Sequence, residues 1–278
     1  MTNENRPPVK ERIRNYFRHI FDTVPKWQLI FWWILRLAMI FALIDTVFGI
    51  IPKASYKGSN PPAQIFANLV GMFGYEIVQL LPKKNRLRFF TPTFQNVSAL
   101  GFFLGSFGGA YLNLYYALPM FDKILHAYGT AEAVYIGYEY LSATQLKFKK
   151  TAPHQIVTLG ALGFGFVLAN AWELFEFIYD QFFGGDAQHW NYQNALEQAG
   201  GIRDSIFQMI PLTEEMWEGG RFALMDTMND IVLNFIGGFL MYIILVIYPY
   251  RHRGKNDVNA LIERQNAAEI SAEADFSE

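Results

Sequence analysis

The feature that most constrains this chain is a series of apolar runs, each about 20 residues long, separated by short charged segments. Hydrophobic residues make up 52% of the sequence and aromatic residues 17%. Runs of this length match the hydrocarbon thickness of a bilayer, and an apolar helix satisfies all of its backbone hydrogen bonds internally. We therefore predict an all-α, polytopic membrane helix bundle with six transmembrane helices. The predicted spans are residues 27–51, 63–81, 97–118, 121–141, 156–182 and 222–248.

Lys and Arg residues are distributed unevenly among the segments that join these runs. Counted from the N-terminus, with Lys123 at the start of the fourth run assigned to the segment before it, the segments carry six, two, four, one, three and two, and RHRGK after the last run carries three. High and low counts alternate, and cytoplasmic segments are the ones enriched in Lys and Arg. Both termini are therefore predicted to be cytoplasmic and the connection 183–221 external. The predicted parts are a cytoplasmic segment 1–26, a transmembrane domain 27–249 and a disordered tail 250–278.

The segment before the first run has the pattern of an amphipathic helix. Its apolar residues recur at helical spacing, and basic residues occupy the positions between them. This pattern predicts a helix that lies on the membrane surface, although a solvated leader is the alternative. The apolar positions are Ile13, Phe17, Ile20, Phe21 and Val24, and the basic ones are Lys10, Arg12, Arg14 and Arg18.

Polar residues interrupt three of the predicted spans at helical spacing. In the sixth, Asp226, Asp230 and Asn234 stand four apart and therefore share one helix face. Ionisable groups inside spans nearly always face the bundle interior or water, so these faces are expected to meet. The fourth span contributes Asp122 and His126, and the fifth contributes Asn170, Glu173 and Glu176.

One imidazole and five carboxylates at similar depth would repel one another unless some acids are protonated or a cation lies among them. The chain has no cysteine, so a metal would be held by oxygen and His ligands. A divalent metal ion is the expected cofactor, of unassigned identity. The predicted metal ligands are His126, Glu173, Glu176, Asp226 and Asp230; the predicted catalytic residues are Asp122, His126, Glu173, Asp226 and Asp230; Asn170 and Asn234 complete the predicted polar core.

Two other interpretations of these polar faces remain open. The first is a network that only pins the three helices together, as in a non-enzymatic membrane factor. The second is an ion- or proton-coupled transport site. Neither interrupted helices nor inverted repeats are evident in the sequence, which counts against a transporter. Nothing in the charge pattern suggests a nucleic-acid partner, and membrane lipids are the expected surroundings.

Three motifs in order along the chain resemble those of the VanZ-like and YjdF-like group of small bacterial membrane proteins. They are Asp122-Lys123-x-x-His126, then Trp172-Glu173-x-x-Glu176, then Asp226-x-x-x-Asp230-x-x-x-Asn234 with Gly237 after them. The resemblance covers about residues 95–245. It implies a bacterial plasma membrane location, a role in envelope biology or glycopeptide-antibiotic tolerance, and a lipid-linked or cell-envelope substrate.

The predicted orientation can be tested by cysteine labelling, because the chain has no cysteine of its own. We expect a membrane-impermeant maleimide to label intact cells carrying Gln188→Cys and to spare those carrying Thr151→Cys, since only position 188 is predicted to be external. Labelling after membrane disruption is the control for reactivity. Labelling of position 151 but not 188 in intact cells would reverse the topology.

Overall fold

The computed structural model describes residues 9–51, 61–82, 85–118, 120–184, 187–188 and 222–251. Most of the predicted external loop and nearly all of the predicted tail lie outside these residues. Within them, the regular structure consists of helices, as predicted. The α-helices are α1 Val9–Thr23, α2 Lys26–Phe48, α3 Pro61–Gly71, α4 Gly74–Leu80, α5 Pro92–Phe103, α6 Leu114–Ala117, α7 Phe121–Phe148, α8 His154–Phe183 and α9 Phe222–Arg251.

Three of the described helices are long and apolar enough to cross a membrane, judged by length and composition. They cover Lys26–Phe48, His154–Phe183 and Ala223–Ile247, corresponding to α2, α8 and most of α9. Helix α7 is also long, with 28 residues, but it carries charged residues along its length. The structure therefore has three candidate membrane-spanning helices, while the count of six spans and their orientation remain predictions.

The first part of the bundle is built around α2, which packs against α3 and α5. Apolar residues recur along one side of α2 and meet residues of α3 and α5 in a buried cluster. Between helices in a membrane, such a cluster stabilises the fold through close van der Waals packing rather than by removing surface from water. The members of this cluster are Leu35, Met39, Ala42, Ile65, Met72, Ala99 and Tyr111.

The second predicted span is not one continuous helix, because it is interrupted between α3 and α4. The carbonyl oxygen of Met72 accepts bonds from Arg36 Nε at 3.1 Å and Nη2 at 2.5 Å, and from the Gln95 amide. Gln95 Oε1 in turn accepts from the backbone N–H of Tyr75 at 2.7 Å. Arg36 Nη2 also lies 2.7 Å from Glu76 Oε1. The break thus has its exposed backbone groups satisfied by neighbouring helices.

Two further helix boundaries differ from the prediction. The helical structure in the third predicted span begins at Pro92, a residue suited to the first helical turn, and passes into a π-helical segment, Leu104–Tyr111, before the short α6. Asn68 Nδ2 donates to Ser106 Oγ at 2.6 Å and fastens that segment to α3. In the fourth predicted span, helix α7 extends to Phe148 rather than ending at residue 141.

The second part of the bundle is a unit of three helices, α7, α8 and α9, in which each packs against the other two. Val134, Ala161, Leu162 and Leu245 form its buried apolar cluster. Helices α7 and α9 are in close contact at Gly237, where an added Cβ would overlap the carbonyl oxygen of Ala127. Only glycine permits this contact between the two backbones.

We expect Gly237→Ala to push α7 and α9 apart and to lower the free energy of unfolding by about 1–3 kcal/mol, the usual effect of overpacking. Gly129→Ala is the matched control on α7, because a Cβ there meets nothing within 4 Å. The control should melt in detergent at or above the parent temperature. Equal melting of Gly237→Ala and the parent would contradict this contact.

Candidate functional site

The packing of α7, α8 and α9 brings together the polar residues that the sequence places near the ends of these helices. Helices α7 and α9 both begin at the end of the unit where α8 finishes. Near these ends lie Asp122 and His126 on α7, Glu173 and Glu176 on α8, and Asp226, Asp230 and Asn234 on α9. We call them, together with Lys123 and Thr130, the polar cluster.

A sharp turn directs the chain into α7. Met120 adopts the left-handed conformation with φ 64°, and its carbonyl oxygen accepts from the N–H of Ile124 at 2.8 Å. This conformation is strained for a residue with a side chain, at a cost of about 1–2 kcal/mol. As a result, Asp122 and Lys123 lie in the first turn of the helix that faces α8 and α9.

The ammonium group of Lys123 is the centre of the polar cluster. Its Nζ lies 2.6 Å from Asp226 Oδ1, 2.7 Å from Asp230 Oδ1 and 3.2 Å from Asp122 Oδ2. The Lys123 side chain is only 3% exposed. A buried ammonium is strongly destabilising unless carboxylates surround it, so this ion-pair network fixes α7 against α9.

The imidazole of His126 lies one turn further along α7 and has carboxylates on both sides. Its Nδ1 is 3.3 Å from Glu173 Oε1 on α8. Its Nε2 is 3.7 Å from Asp122 Oδ1 and 3.7 Å from Asp230 Oδ2. The ring therefore joins the acidic residues of all three helices.

A chain of hydrogen bonds holds the carboxylate of Glu173. Thr130 Oγ1 donates to Asn234 Oδ1 at 2.7 Å, which orients the amide of Asn234. The amide Nδ2 then donates to Glu173 Oε1 at 3.3 Å. Among the described residues, the buried Glu173 Oε2 has no hydrogen-bond partner. Glu173 is therefore held through one oxygen and keeps an acceptor available on the other.

The polar cluster contains more acids than bases. Five carboxylates, from Asp122, Glu173, Glu176, Asp226 and Asp230, face one ammonium and one imidazole. Fully ionised, the acids exceed the available positive charge even when the imidazole is protonated. Among the residues that the structure describes, the cluster therefore favours a bound cation or protons shared between carboxylates.

Two groups of side chains have the geometry to hold a metal ion. One is Asp122, His126 and Asp230, and the other is His126, Glu173 and Glu176; in each, the candidate ligand atoms lie within 4.8 Å of one another. In the described part of the chain, Asp226 joins neither group and contacts Lys123 instead. This geometry favours an ion-pair role for Asp226 over the predicted metal ligation.

Two polar residues of α8, Asn170 and Asp180, do not join the polar cluster. Asn170, predicted to belong to the polar core, is exposed, and its amide donates to the Phe166 carbonyl of its own helix at 2.7 Å. That prediction is wrong because Asn170 lies to one side of the buried face that carries Glu173 and Asp180. Asp180 is buried but accepts from the backbone N–H groups of Ala187 and Gln188 at 2.7 and 2.9 Å. It therefore holds residues 187 and 188 close to the end of α8.

Sequence reasoning missed Lys123 and Thr130. Lys123 was assigned to the loop before the fourth predicted span when the Lys and Arg residues were counted, although the structure buries it within the bundle. A signal for both was present, because positions 123, 126 and 130 share one face of a helix. Removing Lys123 from the loop count lowers that count to zero and leaves the alternation of charge unchanged.

The apolar helices and the buried charged cluster between them define an all-helical membrane protein. Residues 30–251 match the model of a family described as Predicted membrane protein (DUF2238), and the chain belongs to this family. The match supports a membrane protein family, without specific support for the VanZ-like group. No curated protein and no solved structure matches the chain.

Proposed function

We propose that this protein is a six-span protein of the bacterial plasma membrane that binds a divalent cation at the polar cluster and acts on a lipid-linked or cell-envelope substrate. The observation that carries this proposal is the position of His126, whose two ring nitrogens face carboxylates of three different helices. Imidazole and carboxylates are the ligands of zinc and of several other divalent ions.

The second of the two ligand groups, His126, Glu173 and Glu176, is the better cation site. Asp230 and Asp122 of the first group are already paired with the ammonium of Lys123, which would repel a metal ion. The second group includes Glu173 Oε2, a buried acceptor without a hydrogen-bond partner in the described residues. A cation there would supply that oxygen with a partner and offset the excess of negative charge.

The remaining residues of the cluster have separate roles in this proposal. Asp226 and Asp230 hold Lys123, while Thr130 and Asn234 hold Glu173. The Asp122 side chain is 34% exposed and is the candidate general base, since it adjoins His126 at the accessible side of the cluster. A bound divalent ion would activate a water or a substrate hydroxyl as the nucleophile.

Two arguments from the sequence support an outward-facing polar cluster and a role in the bacterial envelope. The alternation of Lys and Arg favours cytoplasmic termini, and it places the beginnings of α7 and α9 on the external side. The resemblance to the VanZ-like and YjdF-like group adds the expectation of an envelope role. Both remain parts of the proposal.

A structural role is the second candidate, because the Lys123 network by itself pins α7 to α9. In that case the protein is a non-enzymatic envelope or antibiotic-tolerance factor. The transporter alternative is weaker, although the second span is interrupted, contrary to the sequence expectation. At this break the Met72 carbonyl is occupied by Arg36 and Gln95, so this carbonyl is not open to a transported ion.

The proposal predicts that divalent ions stabilise the purified protein and that chelation removes this stabilisation. An ion at 100 times its dissociation constant adds about 2.7 kcal/mol. Melting in detergent with EDTA, zinc, manganese or magnesium, together with metal content by mass spectrometry, measures the effect. His126→Ala, Glu173→Gln and Glu176→Gln should abolish the ion-dependent shift while remaining folded.

Asn170→Ala is the matched control, because Asn170 lies on α8 but is exposed and outside the cluster. It should respond to ions like the parent. A parent whose melting is unaffected by ions and chelator, with His126→Ala, Glu173→Gln and Asp230→Ala all melting at the same lowered temperature, would support the structural role and overturn the metal site.

A further inference from the structure

Helix α1 is only partly covered by the other residues that the structure describes. Ile20 and Val24 are buried against Trp32 of α2 and Tyr75 of α4. The Tyr16 hydroxyl donates to the backbone carbonyl of Glu76 at 2.8 Å. One side of α1 is thus fixed to the bundle at the end of α2 that begins the first predicted span.

Part of the apolar surface of α1 is left uncovered by the described residues. Ile13 is 52% exposed, Phe17 53% and Phe21 65%. Trp27, in the first turn of α2, is 61% exposed beside the end of α1. Large apolar side chains of this kind, next to an exposed Trp, are typical of the membrane interface.

Basic residues border this uncovered side. Lys10, Arg14 and Arg18 are exposed and follow one another at intervals of one helical turn. By helical periodicity, this row lies directly beside the line of Phe17 and Phe21. The acidic residues Glu11 and Asp22 lie beyond Arg18, away from the apolar side. Going around the helix, the apolar surface, one edge of which contacts the bundle, is followed by the basic row and then by the acidic residues.

We infer that α1 is a binding surface for anionic phospholipids, in which Ile13, Phe17 and Phe21 enter the acyl region and Lys10, Arg14 and Arg18 bind negatively charged headgroups. The charge complementarity selects an anionic bilayer over a neutral one, because each Lys or Arg near such a surface favours binding about five-fold, the equivalent of about 1 kcal/mol. The contacts of Tyr16, Ile20 and Val24 hold the helix in the orientation that this requires.

The inference is tested on the full-length protein reconstituted in bilayers. The chain has no cysteine, so Phe21→Cys can carry a single apolar fluorophore in place of the ring. Brominated phosphatidylglycerol and brominated phosphatidylcholine, each in mixtures of the two lipids, quench the fluorophore in proportion to their local concentrations. We expect phosphatidylglycerol to be enriched several-fold near the fluorophore at low salt, and the enrichment to fall at high salt.

Arg14→Glu combined with Arg18→Glu should abolish the enrichment, and Arg14→Gln with Arg18→Gln is the milder pair if the first pair lowers the melting temperature. Lys149→Glu with Lys150→Glu is the matched control, since it removes the same charge from exposed positions after α7. Equal quenching by the two lipids in the parent, or enrichment that survives the Arg14 and Arg18 changes, would overturn the inference. Protection of the fluorophore from quenching by both lipids would also overturn the inference, because this surface of α1 would then be covered by protein, such as a second copy of the chain.

Discussion

The three-helix unit depends on how the ammonium of Lys123 is compensated. Burying one charge without a partner costs several kcal/mol, and burying an ion pair is tolerated only when the geometry is good. Lys123 meets this condition with two carboxylates of α9 within 2.7 Å and a third on its own helix. The packing at Gly237 also requires α7 and α9 to be almost in contact, because an added Cβ there would overlap the other helix. Apolar packing at the far end, around Val134 and Leu162, completes the unit.

The residues of the polar cluster have two separate roles, one in neutralising Lys123 and the other around His126 and Glu173. Asp226 and Asp230 neutralise Lys123, and His126, one turn deeper, connects their helix to Glu173 on α8. Because Thr130 and Asn234 fix only one oxygen of Glu173, the other stays free of hydrogen bonds from the described residues. Most buried polar atoms in folded proteins have a hydrogen-bond partner, although Glu173 Oε2 is not alone among the described residues in lacking one. The excess of carboxylates is what favours a bound cation, and this oxygen is one of the acceptors that such an ion would use.

Much of the site was predictable from periodicity, because polar residues four apart on apolar helices have few alternatives to facing one another. The spacing of Asp226, Asp230 and Asn234 indicated one face, and the structure places all three there. Periodicity within one helix did not predict the features that depend on contacts with another helix. The break at Met72 depends on Arg36 and Gln95, which come from other helices, and Lys123 is buried because α9 supplies its counter-charges. Asn170 shows the opposite error, since a polar residue close to a buried face can still point outward.

The dependence of the unit on Lys123 is tested most directly by the stability of Lys123→Met with and without Asp226→Asn. Removing the ammonium leaves the buried carboxylates uncompensated, so Lys123→Met should lose about 3–5 kcal/mol of unfolding free energy. Adding Asp226→Asn removes one of the stranded charges and should restore part of that loss, whereas Asp226→Asn alone should be destabilising. If Lys123→Met unfolds at the same denaturant concentration as the parent, or if the two changes are simply additive, the ion-pair network does not hold the three helices together.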